Sequence, residues 1–536
     1  MHQLSGLDTS FLRLETRSTY GHVSGLTVYD PSTTETGELT LESMKALLSS
    51  RLHMLPPFRW RLAEVPFKLD DPYWIEAPEF DIDFHLREIA LAPPGDDHQL
   101  AEQVARIAAR PLDRSRPLWE LYLIHGLAGG NVGVLTKMHH AAIDGVSGAE
   151  IMGIMLDTTP QPREVPPPAG AWKPERAPND VEMLSRGVVG AVTRPVKMLR
   201  MAPRTLPSLA DVPGMGNVPG VDTLSRASAR IARLGSGGDG KLLERQRLTA
   251  PRTSLNGPIS PHRRFSFGSV SLADVKAVKD AFGLTVNDVV MSMCTDALRT
   301  WLLDHAELPD EPLLAMVPVS VRSEGKKGAF GNQVSVMVVP LPTNEPDRRT
   351  RLSLMQDAMG VAKERHRAMP ATLMQDFAEF IPPAIAARAT RVITGITAAG
   401  RFSPLFNVVI SNVPGPQFPL YSAGAKMLGN YPVSAITDGV GLNMTVMSYN
   451  GKLDFGLVAC REMVPDIWAL MDYLRDSLSE MKALAAADGK SKAKPGRAEA
   501  APANGKPKAK AASPNGRPKR AAAKPRAASR KPASSA

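Results

Sequence analysis

The sequence predicts a mixed α/β protein with two folded halves, a long proline-rich connection between them and a disordered basic tail. The chain has 536 residues, enough for roughly two to four domains. Strand-like and helix-like patterns alternate on both sides of residues 160–220, a stretch that holds twelve of the 47 prolines. Residues 490–536 contain no Leu, Ile, Val, Phe, Tyr or Trp and cannot bury enough apolar surface to fold.

The first half, residues 1–159, combines helix and strand signals. The predicted elements are a helix opened by Thr40 and reaching about Leu52, a helix over 99–110, strands over 118–124 and 132–139, and a helix over 146–156. This mixture predicts an α/β fold for the first half.

The second half, residues 255–489, repeats the mixture without a detectable sequence repeat. The predicted elements are a helix from Ser271 to about Gly283, a helix from Thr285 to His305, strands over 313–322, 333–341 and 406–412, a helix over 347–369, a hairpin turn at Asn450-Gly451 and a last helix after Pro465. The second half is therefore also predicted to be α/β.

Residues 160–254 are interpreted as the connection between the halves. Within it, residues 183–206 mix apolar side chains with five Arg and Lys residues. This pattern predicts two short amphipathic pieces, separated by Pro195, in the interface of an anionic membrane. A linker helix packed on the protein is the alternative interpretation.

The positive charge of the chain is concentrated in the tail. Residues 490–536 hold fourteen Lys and Arg against one acid, Glu499. Removing the tail's +13 from the chain's +10 leaves −3 on residues 1–489. We therefore expect the tail to add electrostatic attraction to an anionic membrane. An alternative function is nucleic-acid binding through the tail, although the tail has no aromatic residue for base stacking.

The cysteine count and the apolar patterning exclude several protein classes. Two cysteines, Cys294 and Cys460, rule out a disulfide scaffold and a Cys-based zinc site, and they fit a reducing compartment. The N-terminal residues lack the charged start and apolar stretch of a signal peptide. No window approaches 18 uninterrupted apolar residues. We expect a soluble or peripheral protein that needs no metal.

One motif carries a chemical signal: His139-His140-x-x-x-Asp144-Gly145. Histidine occurs eleven times, and this is the only adjacent pair. The motif lies where a predicted strand ends, and side chains alternate along a strand, so the two imidazoles are expected to face opposite sides. The alternative is a pair of buried core histidines beside a helix-capping Asp144.

The same motif is the signature of the CoA-dependent acyltransferase superfamily, which the chain therefore resembles. Within that superfamily the chain is similar to the bacterial bifunctional wax ester synthase/diacylglycerol acyltransferase family. The supporting segments, in order, are Leu7-Asp8-Thr9-Ser10-Phe11, Pro117-Leu118-Trp119, Pro251-Arg252-Thr253, His262-Arg263-Arg264, Asn287-Asp288, Gly331-Asn332 and Ser411-Asn412-Val413-Pro414-Gly415-Pro416. Their order and spacing cover nearly all of residues 4–480.

The resemblance implies two α/β sandwich domains like that of chloramphenicol acetyltransferase, with a channel between them. His140 would lie midway along the channel and act as the general base, and His139 would be a scaffold residue. A neutral imidazole can accept the proton of an attacking alcohol, which typically accelerates a reaction by roughly 10²–10⁴. A thioester needs no enzyme nucleophile, because its thiol leaving group departs easily.

The resemblance also suggests roles for residues around the motif. Asp144 and Gly145 would shape the turn, with the Asp144 carboxylate paired to Arg322; a triad-like role for Asp144 is the alternative. Asn287 would either donate a hydrogen bond to the tetrahedral oxyanion or only start a helix. Asn412 would line the channel, although a tight turn alone would account for the Pro-Gly-Pro that follows it, and Trp119 would support the site from the core. The alternative for Arg322 is an ordinary solvated charge at the end of a strand.

The predicted activity is acyl-CoA-dependent esterification of diacylglycerol, and also of long-chain alcohols, to triacylglycerol or wax ester. Acyl-CoA would be a co-substrate, and no other cofactor is expected. The predicted location is cytoplasmic, peripherally on the inner face of the membrane or on lipid droplets, without specific nucleic-acid binding. A condensing acyltransferase that takes its acyl group from a carrier protein is the second interpretation.

Overall fold

Two six-stranded β-sheets and a small three-stranded sheet organise the chain. The computed structural model describes residues 1–143, 148–168, 170, 174, 176–205, 223, 225–228, 248–320, 334–368 and 404–492. The strands are β1 (His2–Gln3), β2 (His22–Asp30), β3 (Trp60–Ala63), β4 (Tyr73–Glu76), β5 (Leu86–Ala90), β6 (Trp119–His125), β7 (Val132–His139), β8 (Arg263–Ser271), β9 (Leu313–Ser320), β10 (Val334–Leu341), β11 (Val408–Val413), β12 (Tyr421–Ser422), β13 (Ala425–Val433), β14 (Leu442–Tyr449) and β15 (Lys452–Cys460).

Helices cover the sheets and connect the strands. They are α1 (Gly6–Leu14), α2 (Leu41–Arg51), α3 (Ile82–His85), α4 (Asp97–Ala108), α5 (His140–Ile143), α6 (Gly148–Met155), α7 (Asp180–Thr205), α8 (Leu272–Phe282), α9 (Val286–Asp304), α10 (Arg348–Ala368) and α11 (Ile467–Lys492). Residues 493–536, which hold most of the predicted disordered tail, lie outside the described residues.

The predicted helix caps are present. Thr40 and Ser43 form a capping box at the start of α2, and Thr285 and Asp288 form one at the start of α9. Helix α8 ends at Gly283, whose φ of 68° lies in the left-handed region that glycine adopts without strain. Local sequence signals therefore determine where these helices begin and end.

The first sheet has the strand order β12-β13-β2-β7-β6-β5. Strand β7 lies in its interior, antiparallel to both β2 and β6. Two of its strands, β12 and β13, come from the second half of the sequence, and β13 pairs with β2 so that Val433 faces Ser24. The predicted boundaries at residues 159 and 254 stay predictions, but the second half completes the first sheet.

The second sheet has the strand order β10-β9-β11-β14-β15-β8. Helices α8, α9, α10 and α11 contribute to its core, in which Trp301, Phe455 and Met471 are fully buried. A second cluster joins the two sequence halves, because Leu100 of α4 packs with Phe265 of β8. Burial of these apolar side chains is the main favourable contribution to folding.

Helix α7 corrects the prediction for the connection. The two short pieces separated by Pro195 are not present, and the alternative of a linker helix packed on the protein is, because one helix runs from Asp180 to Thr205. Proline removes a single backbone donor, and that loss need not end a helix that is held by packing elsewhere. Met183 provides such packing, because it is buried against Ala63, Val65 and Ile75. No helix in the described part of the chain is long and apolar enough to cross a bilayer.

Candidate active site

The histidine pair ends β7, and backbone hydrogen bonds fix both residues. The N–H of His139 donates to the carbonyl of Leu118 at 3.0 Å, and the N–H of His140 donates to the carbonyl of Gly21 at 2.9 Å. The chain then turns into the short helix α5. The position of both imidazoles is therefore set by the neighbouring chain segments on either side of β7.

His139 is fully buried and makes contacts on both ring nitrogens. Its Nδ1 accepts the N–H of Ala141 at 3.1 Å, which leaves Nε2 as the nitrogen that carries a proton. Nε2 lies 3.3 Å from Oε1 of Glu15, although the contact is not aligned as a hydrogen bond. These contacts support a scaffold role for His139.

Glu15 is itself held in place on its two oxygens. Oε1 accepts the N–H of Gly21 at 2.8 Å, and Oε2 accepts hydrogen bonds from Nη2 and Nε of Arg114 at 2.6 and 3.1 Å. Burial alone would raise the pKa of Glu15, but the His139 ring, the Gly21 amide and Arg114 together lower it to about 2. The carboxylate is therefore ionised at neutral pH.

His140 is half-buried and lies against an aromatic ring. The Phe11 ring of α1 stacks on its imidazole, with ring centroids 4.6 Å apart and planes 14° apart. Burial, and secondarily the neighbouring His139, lowers the pKa of His140 to about 4. The ring is therefore neutral at pH 7, the form in which an imidazole accepts a proton.

A buried charge pair includes Lys137, which lies two residues before His139 on β7. Lys137 of β7 is fully buried, and its Nζ lies 3.7 Å from Oε2 of Glu120 and 3.3 Å from the carbonyl of Ile107 at the end of α4. Burial lowers the pKa of Lys137 to about 8, partly offset by Glu120. Cations are favourable at helix C-termini, so this pair anchors α4 to the sheet.

Trp119 lies in the core behind the histidine pair. Its Nε1 donates to the carbonyl of Phe58 at 2.8 Å, and its ring stacks on His85 with centroids 4.4 Å apart. Trp119 also faces Met138, the residue before the pair, across the β6–β7 ladder. This position agrees with a supporting role rather than contact with substrate.

The structure brings together two predicted site residues from different elements. Nδ2 of Asn412, on β11, donates to Oδ1 of Asn287, in the first turn of α9, at 3.1 Å. The bond occupies the acceptor oxygen of Asn287 and leaves its two N–H donors for other partners. The helix cap is made by Thr285 and Asp288, so Asn287 is not needed for capping.

Three predicted residues lie outside the described residues: Asp144, Gly145 and Arg322. The pairing of Asp144 with Arg322, the turn at Gly145 and the channel around His140 therefore stay predictions. Within the described ranges, no three His, Cys, Asp or Glu side chains lie close enough to hold a metal ion.

Sequence reasoning missed Glu15, Arg114 and the Lys137–Glu120 pair. Glu15 carries no local signal, because its partners His139 and Arg114 are about 100 or more positions away in the sequence. The Lys137–Glu120 pair did have a local sequence signal, because each residue interrupts an apolar strand. The two residues face each other in the β6–β7 register. A charge inside an apolar strand indicates a buried partner.

Comparison with known proteins agrees with this architecture. The sequence profile of the wax ester synthase/diacylglycerol acyltransferase catalytic domain matches residues 4–290, and that of the C-terminal domain of the same family matches residues 330–482. A protein of Mycobacterium tuberculosis (strain CDC 1551 / Oshkosh) named as a diacylglycerol O-acyltransferase is 36% identical over 482 residues, covering 90% of each chain. A second relative from the same strain, with the same activity in its name, is 35% identical over 482 residues, covering 89% of this chain and 97% of the relative.

A solved structure extends the comparison to the fold. The wax ester synthase/diacylglycerol acyltransferase from Marinobacter aquaeolei VT8 matches 90% of this chain and 100% of its own, with a TM-score of 0.62 and 31% identity. This match confirms the predicted pair of mixed α/β domains. The chain belongs to the wax ester synthase/diacylglycerol acyltransferase family.

Proposed function

We propose that this acyl-CoA-dependent acyltransferase esterifies diacylglycerol, and also long-chain alcohols, with the imidazole of His140 as the general base. The single observation that supports the residue assignment is the difference between the two histidines. His139 is fully buried with both nitrogens in contact with neighbouring groups, whereas His140 is partly accessible and neutral at pH 7.

The reaction needs one proton carrier. The alcohol oxygen attacks the carbonyl carbon of the thioester, and the hydroxyl proton passes to His140 as the C–O bond forms. The tetrahedral intermediate then collapses with cleavage of the C–S bond, and the imidazolium returns the proton to the CoA sulfur. A pKa of about 4 makes His140 a weak base, so it accepts the proton only when bond formation has made the hydroxyl acidic.

Asn287 is the proposed donor to the oxyanion of the tetrahedral intermediate. Its hydrogen bond with Asn412 fixes the amide through the acceptor oxygen, so the N–H groups can point to a developing negative charge. In the same proposal, Asn412 orients Asn287, while Gly145 and an Asp144–Arg322 pair shape the turn after the histidines. The family resemblance supports these last assignments.

Lipid acceptors require contact with a membrane or lipid-droplet surface, which we place on α7 and the turn before β4. Helix α7 packs closely on that turn: a side chain at Gly187 would collide with Val65, and one at Gly190 with Asp70. The opposite face of α7 therefore points away from the protein. Val181 and Val192 on that face are 75% and 70% exposed.

Another exposed apolar side chain is Phe67, in the turn on which α7 packs. It is 86% exposed, and its φ of 56° lies in the left-handed region that a bulky residue seldom adopts. From Met183 to Thr205 the helix sequence has five basic residues and no acid. An exposed apolar stripe beside basic residues is typical of a helix in an anionic interface. The proposed location is thus cytoplasmic and peripheral, with the basic tail adding attraction.

Replacing His140 by Ala should reduce ester formation by roughly 10²–10⁴, because the general base is lost. The assay uses labelled palmitoyl-CoA with diacylglycerol or hexadecanol and compares the variant with the intact protein. His305→Ala removes a histidine that stacks on Trp301 at the core of the second sheet and serves as the control for stability. Undiminished esterification by His140→Ala would contradict the proposal, and activity only with an acyl carrier protein would favour a condensing acyltransferase.

In a plot of kcat/KM against pH, the decrease on the acidic side should occur well below pH 6.5. A base works in its neutral form, and burial lowers the pKa of His140 to about 4, so activity should be constant at neutral pH and fall as the pH drops towards that value. Initial rates between pH 4 and 8, with pH-jump controls for stability, test this. An inflection at or above 6.5 would rule out a desolvated His140.

Asn287→Asp should lower kcat by roughly 10²–10³ while the protein stays folded. The carboxylate keeps the acceptor for Asn412 and the volume of the side chain but removes the N–H donors. Asn407→Asp alters a buried structural amide that bonds to Asn256, and serves as the comparison for general damage. Wild-type kcat in a folded Asn287→Asp variant would exclude an oxyanion donor at this position.

Replacing Phe67 and Val188 together by Ser should weaken binding to phosphatidylglycerol-containing vesicles by roughly tenfold, because both exposed side chains would leave the lipid interface. Leu303→Ser, at an exposed apolar residue on α9, is the matched control and should not change binding. Equal vesicle binding by the wild-type protein, the double variant and Leu303→Ser would place the membrane contact elsewhere on the protein. Truncation before Lys490 measures the contribution of the tail separately.

A further inference from the structure

The carboxylate of Glu15 lies behind the histidine pair and has no part in the proposed reaction. Glu15 directly follows α1, the helix whose Phe11 stacks on His140. One end of one helix thus supplies a ring against His140 and a carboxylate 3.3 Å from His139. Both histidines are therefore contacted by the same rigid element.

Glu15 also reaches His140 through the backbone. Its Oε1 accepts the N–H of Gly21, and the carbonyl of Gly21 accepts the N–H of His140. The peptide groups of Gly21 therefore connect the carboxylate to the backbone of the proposed base. A shift of Glu15 would move Gly21, and a shift of Gly21 would move His140.

Arg114 holds the carboxylate in this position. Its guanidinium donates two hydrogen bonds to Oε2 of Glu15 and a third, at 2.6 Å, to the carbonyl of Leu12 near the end of α1. Paired hydrogen bonds between Arg and a carboxylate fix orientation as well as charge. Oε1 is therefore directed at Gly21 and His139 rather than free to rotate.

We propose that Glu15 is a positioning residue for the acyl transfer: it fixes His139 and Gly21 and thereby holds the His140 imidazole in the orientation that accepts the proton. This inference rests on the proposed role of His140. Holding reacting groups in productive geometry contributes strongly to catalysis, and a misplacement of about 1 Å can cost roughly 10²-fold in rate.

Two conservative variants separate positioning from a simple charge effect. Glu15→Gln keeps the length of the side chain and one oxygen that can accept the N–H of Gly21, while Arg114 keeps its hydrogen bond to the carbonyl of Leu12. Glu15→Asp keeps the charge but withdraws it from Gly21 and His139. We expect Glu15→Gln to retain most of kcat and Glu15→Asp to lose roughly tenfold to hundredfold.

KM and a matched variant provide the controls. The KM for palmitoyl-CoA should change little in Glu15→Asp, because the side chain acts on the base and not on substrate. Glu64→Ala removes the other carboxylate beside Arg114 without touching either histidine and should behave as wild type. A folded Glu15→Asp protein with wild-type kcat, or an inactive Glu15→Gln beside an active Glu15→Asp, would overturn the proposal.

A double-mutant cycle tests whether Glu15 acts through His140. In the His140→Ala background, Glu15→Asp should cause no further loss of the residual rate, because there is no imidazole left to position. An equal loss in both backgrounds would show a general structural role and overturn the inference while leaving the role of His140 intact. Wild-type activity of His140→Ala alone would instead contradict the proposed function on which the inference rests.

Discussion

The antiparallel pairing of β7 with its two neighbours fixes the position of the histidine pair, and the proposed chemistry depends on it. The bonds from His139 to Leu118 and from His140 to Gly21 come from the neighbouring segments on opposite sides. A residue held from both sides cannot shift along the strand without breaking a ladder of backbone hydrogen bonds. The histidine pair thus lies at the end of a strand that is paired on both sides rather than on a loop.

Charges buried around this strand end are matched by specific partners. Glu15 is paired with Arg114, about 100 positions away in the sequence, and Lys137 is paired with Glu120 across the neighbouring strands β6 and β7. Removing charges from water is costly unless they find partners, so such groups are arranged where a single geometry is needed. The same low-polarity surroundings lower the pKa of His140, so structural support and proton chemistry have one physical origin.

The sequence predicted those features that depend on nearby residues. The cap at Thr285, the strand that ends at His139 and the turn at Asn450 follow from patterns a few residues long, and the structure has them. Strand β13 and Glu15 could not be predicted in this way, because their roles come from partners that the fold brings from far away. For α7 the sequence left two interpretations open, because a local rule about Pro195 cannot show that Met183 is buried against a distant segment.

Strand β13 belongs to the second half of the sequence but pairs with β2 in the first sheet, and this has a consequence for folding during synthesis. Strand β2 emerges early from the ribosome, yet the partner of its Ser24 is Val433, about 400 residues later. At roughly 5–20 residues per second, one edge of the first sheet stays open for about 20–80 seconds of translation. During that interval the unpaired edge is a template for wrong pairing with another nascent chain. The sheet that carries the histidine pair is therefore complete only after synthesis has passed β13, late in the second half of the sequence.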